Sequence, residues 1–300
     1  MAVADFEEKT YETAYNAELA YGIGGNRLVF SPGQVLEKLT GFDAAHSPGS
    51  AHLIWQVLGL PRPRGVRLVP EHWPKMAPKG DQLPTYPLSL ILQFKRAEYL
   101  YGARAKQWNL WGGAYYRFQR QRYQHQVLRK LDVALAGKAV VRYAAPAFHT
   151  LRQLEAAQMQ GRVIARSGHV SPEAMGKHAV WTYQTAGTVG RGNPNGPEVM
   201  FESFGQLLED FVQTRDSRPA ALVQYQGLSA HLAAVADACR SRAPRVRRAV
   251  AEWAGNLNQA RPPFESVQPL VDYFTIQAVM SWYQMSWWVI DGLPAARQQP

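Results

Sequence analysis

One stretch of ten residues, 86–95 (YPLSLILQFK), constrains the fold of this chain more than any other part of the sequence. It is short, apolar and bounded by prolines and charged residues, which predicts a buried β-strand. Successive side chains of a strand point to opposite faces, so Leu92 and Phe94 share one face while Gln93 and Lys95 share the other. The amide and the ammonium group at the end of this apolar strand require an explanation. Burying a lysine costs free energy unless its charge is paired or serves a function.

Two interpretations of this ending stay open. In the first, the strand stops at Gln93 and Lys95 simply reaches solvent, since Q-x-K is a common pattern. In the second, the strand belongs to a metal-dependent phosphodiesterase. Gln93 then gives its carbonyl oxygen to a divalent metal ion, and Lys95 orients the attacking water or neutralises the charge that develops on the phosphate. The second interpretation makes this strand the centre of a hydrolytic site.

Composition and charge bound the class of protein. The chain has 300 residues, of which 46% are hydrophobic. That is enough for one large domain or for one domain with an appendage. The net charge of +10 favours a polyanionic partner, nucleic acid first and an anionic membrane surface second. Cys239 is the single cysteine and the first residues lack the apolar run of a signal peptide, so we expect a cytoplasmic protein.

Three acidic residues near the start of the chain are candidate metal ligands. Residues 5–21 predict a helix that carries Glu12 and Glu18. In one interpretation both glutamates lie on a solvent-exposed face of the helix. In the other, one of them points inward and lies beside the metal ion of the predicted site. Asp43 directly follows a glycine turn at the start of a possible strand. It is either an ordinary turn residue or the metal-binding acid.

The stretch 47–87 is irregular, basic and interrupted by many prolines. A loop of this length inside a domain is usually functional or mobile, and we interpret it as a hairpin insertion before the central strand. It contains a fourth candidate acid, Asp81, which precedes Gln93 by twelve residues. The sequence leaves the choice between Asp43 and Asp81 open.

The segment after the central strand is strongly basic. Residues 108–135 predict one long helix with an interrupted apolar stripe, and the part 117–126 (RFQRQRYQHQ) contains no acid. Arginine offers charge and forked donors, and glutamine adds further hydrogen bonds, which suits a phosphate backbone. The alternative is a basic helix face that only contacts solvent. The candidate nucleic-acid-binding residues are Arg117, Arg120, Arg122 and Gln124.

The rest of the chain predicts a second strand and a helical C-terminal part. Residues 138–144 (KAVVRYA) form a strand that is reached through the long helix, which predicts a βαβ unit with parallel, neighbouring strands. Residues 185–197 are rich in glycine and proline and predict a loop or a boundary. From residue 198 to 300 the pattern is helical throughout. Trp287 and Trp288 lie in its last helix, as core residues or as a partner surface.

Taken in order, the first half of the chain has a helix with acids, Gly-Phe-Asp43, Leu-Gln93-Phe-Lys95, a long basic helix and a strand. This order resembles the restriction-endonuclease-like superfamily, the PD-(D/E)xK nucleases, and in particular branches such as the Mrr-like enzymes in which glutamine replaces the usual carboxylate. The resemblance covers about residues 5–145. It departs from compact members in the separation of Asp43 from Gln93, which is about fifty residues.

The resemblance implies specific roles. The metal ligands would be Asp43 and Gln93, the family's lysine would be Lys95, and a helical glutamate would map onto Glu18 or Glu12. The implied cofactor is Mg²⁺ or Mn²⁺. The implied fold is α/β (α+β), a mixed sheet flanked by helices.

These inferences give one predicted function and two alternatives. The main hypothesis is a metal-dependent nuclease that hydrolyses phosphodiester bonds in DNA, an effector of restriction or anti-phage defence that does not associate with a membrane. Its α/β domain would span residues 1–184, its boundary 185–197, and a helical domain 198–300 would dock a protein partner or activator. The first alternative is a non-catalytic nucleic-acid-binding subunit, and the second is a scaffold subunit of a larger assembly.

Overall fold

The computed structural model describes residues 2–22, 28–30, 45–47, 88–187, 189–200, 203–207, 276, 280 and 283–290. In chain order the elements are β1 (Ala2–Val3), α1 (Glu8–Gly22), β2 (Leu28–Phe30), β3 (Ala45–Ser47), β4 (Leu88–Phe94), β5 (Glu98–Leu100), α2 (Trp108–Trp111), β6 (Tyr115–Gln119), α3 (Arg122–Ala134), β7 (Ala139–Pro146), α4 (Leu151–Met159), β8 (Ser167–Val170), α5 (Pro172–Met175), β9 (Val180–Tyr183), β10 (Val189–Asn193), β11 (Glu198–Met200) and β12 (Ser286–Ile290). The described part is therefore a mixed α/β structure, as the sequence predicts.

The central strand of the prediction, β4, lies inside a four-stranded sheet with the order β12-β4-β7-β8. It pairs in parallel with β7, and Gln93 lies opposite Tyr143. The strand predicted at 138–144 and its parallel pairing with the central strand are thus confirmed. On its other side β4 pairs antiparallel with β12, where Ser286 lies opposite Leu92. Both edges of β4 are therefore occupied.

Side chains of β4 alternate between two hydrophobic cores. Leu92 and Phe94 pack in one core with Tyr11 and Tyr15 of α1. Ile91 packs in the other core, with α3 and with strands of the second sheet. This alternation confirms the predicted pattern. Each face of a strand that is buried on both sides removes apolar area from water, at about 25 cal/mol per Å².

A second sheet has six strands in the order β1-β5-β6-β9-β10-β11, with antiparallel pairing in each neighbouring pair. It corrects the prediction of one long helix over 108–135. The helix α2 ends at Gly112, which has a φ of 65° and forms a left-handed cap. The chain then enters β6, which pairs with β5 and β9. Only α3 continues the predicted helix.

The stretch 185–197 is not the structureless boundary that its composition predicts. Its central part is β10, which pairs with β9 and β11. The glycines are explained by close packing. A Cβ atom on Gly190 would lie 2.4 Å from the Trp181 ring, and one on Gly192 would lie 2.4 Å from the His178 ring. Here glycine admits a large ring against the strand, which composition alone does not distinguish from a flexible loop.

The C-terminal part is not helical throughout, because residues 286–290 form β12 in the central sheet. Trp288 is buried in the core beside α1, and Trp287 is buried in the opposite core. The prediction that these tryptophans pack a core is confirmed, but they do so on a strand rather than a helix. The other helices predicted after residue 207 lie outside the described residues.

Two further predictions fall largely outside the described part of the chain. The stretch 47–87, including Asp81, lies outside it except for Ser47, the last residue of β3, and Asp43 lies outside it too. The short strand just after Asp43, β3, pairs with β2 in a separate two-stranded sheet. Among the helices that the structure describes, none is long and apolar enough to cross a membrane.

Candidate functional site

A buried polar cluster lies where β4 ends, between α1, α3 and the segment that leads into β12. We call it the Lys95 cluster. Its members are Glu8, Glu12, Gln93, Lys95, Gln124 and Ser286. The carboxyl end of a strand in an α/β sheet is a common position for a site, because loops and helix ends meet there.

Lys95 is the centre of this cluster. The residue is 7% exposed, and its backbone N–H donates to the Ala144 carbonyl, which holds it at the end of the sheet. Its amino group donates to Gln124 Oε1 at 3.0 Å. Within the described part of the chain this is the one hydrogen bond that the amino group makes. An ammonium group has three donors, so Lys95 keeps capacity for a further acceptor.

Two carboxylates of α1 face the lysine. Glu8 and Glu12 are four residues apart and so share one side of the helix. Glu8 Oε2 accepts the backbone N–H of Arg96, the residue after Lys95, at 3.1 Å. Glu12 is buried, with Oε1 accepting the Ser286 hydroxyl at 2.6 Å and Oε2 lying 3.0 Å from the Lys9 amino group.

Burial perturbs the charges of this cluster. It lowers the pKa of Lys95, and the negative charges of Glu8 and Glu12 only partly oppose that change. Burial likewise raises the pKa of Glu8, against the lowering effects of Lys95 and of the Arg96 N–H. Both shifts move the groups toward neutrality. Ionisable groups with such shifts are enriched at functional sites, where protons are transferred or charge develops.

Gln93 ends in an oxygen that no described group satisfies. The residue is 1% exposed, its Nε2 donates to the Phe94 carbonyl at 3.2 Å, and its Oε1 has no hydrogen-bond partner. Three other buried atoms share this condition, namely Asn16 Nδ2, His149 Nδ1 and Arg191 Nε. Gln93 Oε1 is the only oxygen among the four. An unpaired buried acceptor of this kind costs about 1–3 kcal/mol.

The geometry separates the cluster into two sides. Ser286 and its partner Leu92 lie on the α1 face of the sheet, because directly paired residues share a face. Gln93 is one residue on and points to the opposite face. Lys95 lies just past the end of β4 and bonds Gln124 of α3, while the carboxylates of α1 act on its charge. The lysine therefore connects an acidic side to an amide side.

The structure places Glu18 away from this cluster. Its carboxylate oxygens accept the backbone N–H groups of Val163 and Ile164, so it tethers α1 to the loop before β8. On α1, Glu8 and Glu12 contribute to the electrostatics of Lys95 in its place. Of the two helical glutamates that the sequence left open, Glu12 is therefore the one that acts on the charge of Lys95.

The four residues predicted to contact nucleic acid lie in different structural environments. Arg117 forms an ion pair with Glu98, at 2.5 Å, on the strand β6. Arg120 donates to the carbonyls of His178 and Lys177 at 2.6 and 2.9 Å. Gln124 is buried and holds Lys95. Arg122 alone of the four is exposed, at the first residue of α3. The continuous basic helix face that the sequence predicted is therefore not formed.

The donor chemistry of the cluster suits a hard divalent cation in part. Carboxylate and amide oxygens are the ligands that Mg²⁺ prefers, and Gln93 Oε1 is an oxygen with no other partner. The described residues bring no three of His, Cys, Asp and Glu together as a metal site. The carboxylates near Lys95, Glu8 and Glu12, lie on the α1 side, away from Gln93. Asp43 and Asp81 remain candidate metal ligands outside the described residues.

Sequence analysis missed two members of the cluster. Glu8 precedes Glu12 by one helical turn, so the spacing that identifies a shared face was present. Ser286 had no local signal, because its partner Glu12 is 274 residues away and its segment was assigned to a helix.

Comparisons with known proteins do not extend these observations, since no family model, no curated protein and no solved structure matches this chain.

Proposed function

We propose that this protein is a metal-dependent nuclease that hydrolyses phosphodiester bonds in DNA, as a divergent relative of the PD-(D/E)xK enzymes. The observation that carries the proposal is the pair formed by Gln93 and Lys95. Among the described residues, a buried amide oxygen without a partner lies two residues before a buried lysine that uses one of its three donors. Neither condition favours stability, and both are useful when a metal ion and a phosphate are bound.

The residues divide the work as follows. Gln93 Oε1, together with an acid outside the described residues such as Asp43 or Asp81, would hold Mg²⁺ or Mn²⁺. When bound, the metal would polarise the phosphate and lower the pKa of the attacking water. The free donors of Lys95 would stabilise the charge that develops on the phosphate oxygens. Glu8, whose pKa is raised by burial, would be the proton acceptor on the α1 side of Lys95.

DNA as the substrate is supported by charge. The net charge of +10 favours a polyanion, and Arg122 and Arg129 are exposed on α3, the helix whose Gln124 contacts Lys95. Restriction or anti-phage defence in the cytoplasm, with activation through a partner of the C-terminal part, follows from the family resemblance alone.

The direct test is cleavage of supercoiled plasmid and of single-stranded DNA in Mg²⁺ and in Mn²⁺. Wild type should nick or cut DNA, and Lys95→Ala should abolish cleavage while DNA binding is kept. The matched control is Lys106→Ala, an exposed lysine on the same basic segment, which should cleave normally. Loss in Asp43→Ala but not in Asp81→Ala would assign the metal acid to Asp43, and the reverse to Asp81.

Absence of cleavage in both metals, with salt-dependent DNA binding intact, would contradict the nuclease proposal. It would favour the non-catalytic binding subunit instead. For that subunit Arg122→Gln should weaken binding and reduce its dependence on salt, whereas Lys95→Ala should not.

A further inference from the structure

Both ends of the Gln124 side chain are used inside the protein. Oε1 accepts the Lys95 amino group at 3.0 Å, and Nε2 donates to the Tyr283 carbonyl oxygen at 3.0 Å. The residue is 5% exposed. A side chain in this condition has no amide group left for a DNA phosphate, so the sequence-based role of Gln124 as a nucleic-acid contact does not fit its geometry.

The direction of the Gln124 amide is fixed by its partners. An ammonium group can only donate, so the amide must present its oxygen to Lys95, and a carbonyl can only accept, so the amide must present its nitrogen to Tyr283. A flipped amide would lose both hydrogen bonds. Gln124 is therefore held in one orientation, and its oxygen marks one position for the lysine amino group.

The anchor of this arrangement is the C-terminal segment. Tyr283 is buried, and three residues later Ser286 begins β12, which pairs with β4 along five residues. The same short segment supplies the Ser286 hydroxyl to Glu12 on the other side of the cluster. Two tryptophans that follow are buried in the two cores, so displacing this segment would expose a large apolar area.

We propose that Gln124 is a positioning residue for Lys95, held in register by the Tyr283 carbonyl of the C-terminal segment. It takes one of the three donors of the amino group and thereby directs the other two toward the substrate phosphate. This inference rests on the proposed nuclease function for its catalytic meaning, but the contact itself is tested without catalysis.

The catalytic test compares Gln124→Met, which removes the acceptor at similar length, with Gln124→Glu, which keeps an oxygen for Lys95. Gln124→Met should lower kcat for DNA cleavage by about 10- to 100-fold with KM changed less than about threefold. Gln124→Glu should recover most of that loss. The control is Gln158→Met, an exposed glutamine on α4, which should match wild type. Equal loss in Met and Glu variants, or loss in KM alone, would contradict positioning.

A stability test separates failure of this inference from failure of the nuclease proposal. Urea unfolding would be measured for Lys95→Met, Gln124→Met and the double variant. A direct contact predicts that Gln124→Met is destabilising when Lys95 is present and much less so when it is replaced, because no ammonium group is then left without its acceptor. Additive effects would refute the contact. Coupling without cleavage by wild type would leave the contact standing and reject the nuclease.

Discussion

Two buried polar clusters use consecutive residues of α3, Gln124 and His125, and differ in one respect. The His125 cluster, made of His125, Tyr143 and Gly176, is closed. His125 Nε2 donates to the Gly176 carbonyl at 2.6 Å, and Nδ1 accepts the Tyr143 hydroxyl at 3.0 Å. The Lys95 cluster is open, because Gln93 Oε1 has no partner and Lys95 uses one donor with the described residues.

This difference indicates what each cluster contributes. A closed network lowers the free energy of the folded state and needs no ligand, since every polar atom is satisfied. An open network costs stability, and such a cost is typically found where a site must bind something. We therefore expect changes at His125 to alter stability alone, and changes at Gln93 and Lys95, which keep unused hydrogen-bonding capacity, to alter activity.

The largest effect should come from replacing Lys95. Lys95→Met should lower the rate of DNA cleavage by about 10²–10³-fold, the scale of one electrostatic donor. It should lower the free energy of unfolding by no more than about 1–3 kcal/mol, because Gln124 Oε1 loses its donor while a buried ammonium is exchanged for an apolar chain. Cleavage assays and urea unfolding on the same preparations check both. A large loss of stability with normal cleavage would reverse the assignment of the two clusters.

The next largest effect should be acid destabilisation through His125. Burial lowers the pKa of His125 to about 4, against 6.5 in the unfolded chain. Between these values the unfolded chain binds more protons than the folded one, so stability is full above pH 6.5 and falls as the pH drops toward 4. The loss should reach roughly 3 kcal/mol. Urea unfolding across this range measures it.

His125→Gln provides the control for that pH dependence. Glutamine does not titrate, so the slope of stability against pH between 4 and 6.5 should decrease in this variant. His169, whose pKa burial lowers to about 3, should still contribute its own slope. An unchanged slope in His125→Gln would show that the ring of His125 is not buried in its neutral form.

A smaller effect should follow from Ser286→Ala. Glu12 Oε1 would lose the hydroxyl hydrogen bond that it accepts at 2.6 Å, and leaving one buried acceptor oxygen unpaired lowers the free energy of unfolding by about 1–3 kcal/mol. Thermal unfolding measures the change. Ser286→Thr keeps the hydroxyl on a residue that favours strands and should retain most of the stability, whereas equal losses in both variants would argue against the hydrogen bond.

The smallest predicted effect is the change in the free energy of unfolding of Gln93→Met, and its sign is what tests the comparison. Gln93→Met removes the unpartnered oxygen, so the folded protein should become more stable by about 1 kcal/mol while DNA cleavage falls. Denaturation in urea and the plasmid assay check the two halves. If stability falls instead, Gln93 Oε1 has a hydrogen-bond partner in the folded protein, and the Lys95 cluster is closed like the His125 cluster.

The sequence predicted those features that depend on local periodicity. Alternation along β4 placed Gln93 and Lys95 on one face, and a second strand was correctly placed parallel to it. The signals that failed were also local. Tyr115–Gln119 was included in a helix because a two-residue alternation inside a basic run is easily mistaken for helical spacing, and its actual partners, β5 and β9, are set by tertiary pairing.

Contacts between distant parts of the chain account for the rest of the site. Glu12 was considered but could not be chosen over Glu18, since their difference depends on Ser286 and on the loop at Val163. Gln124 was predicted to contact DNA because the composition of the surrounding segment, 117–126, suits a phosphate backbone. Nothing near it in the sequence indicates that the Tyr283 carbonyl holds it toward Lys95.

The most direct test of an open, functional Lys95 cluster is metal binding itself, measured by calorimetric titration of the full chain with Mn²⁺ and Mg²⁺. The account predicts one site in wild type that is weakened by about tenfold or more in Gln93→Met, the scale of losing a ligand or its support. Lys106→Met should bind as wild type does. Equal affinity in wild type and Gln93→Met, or no binding in either, would contradict the account.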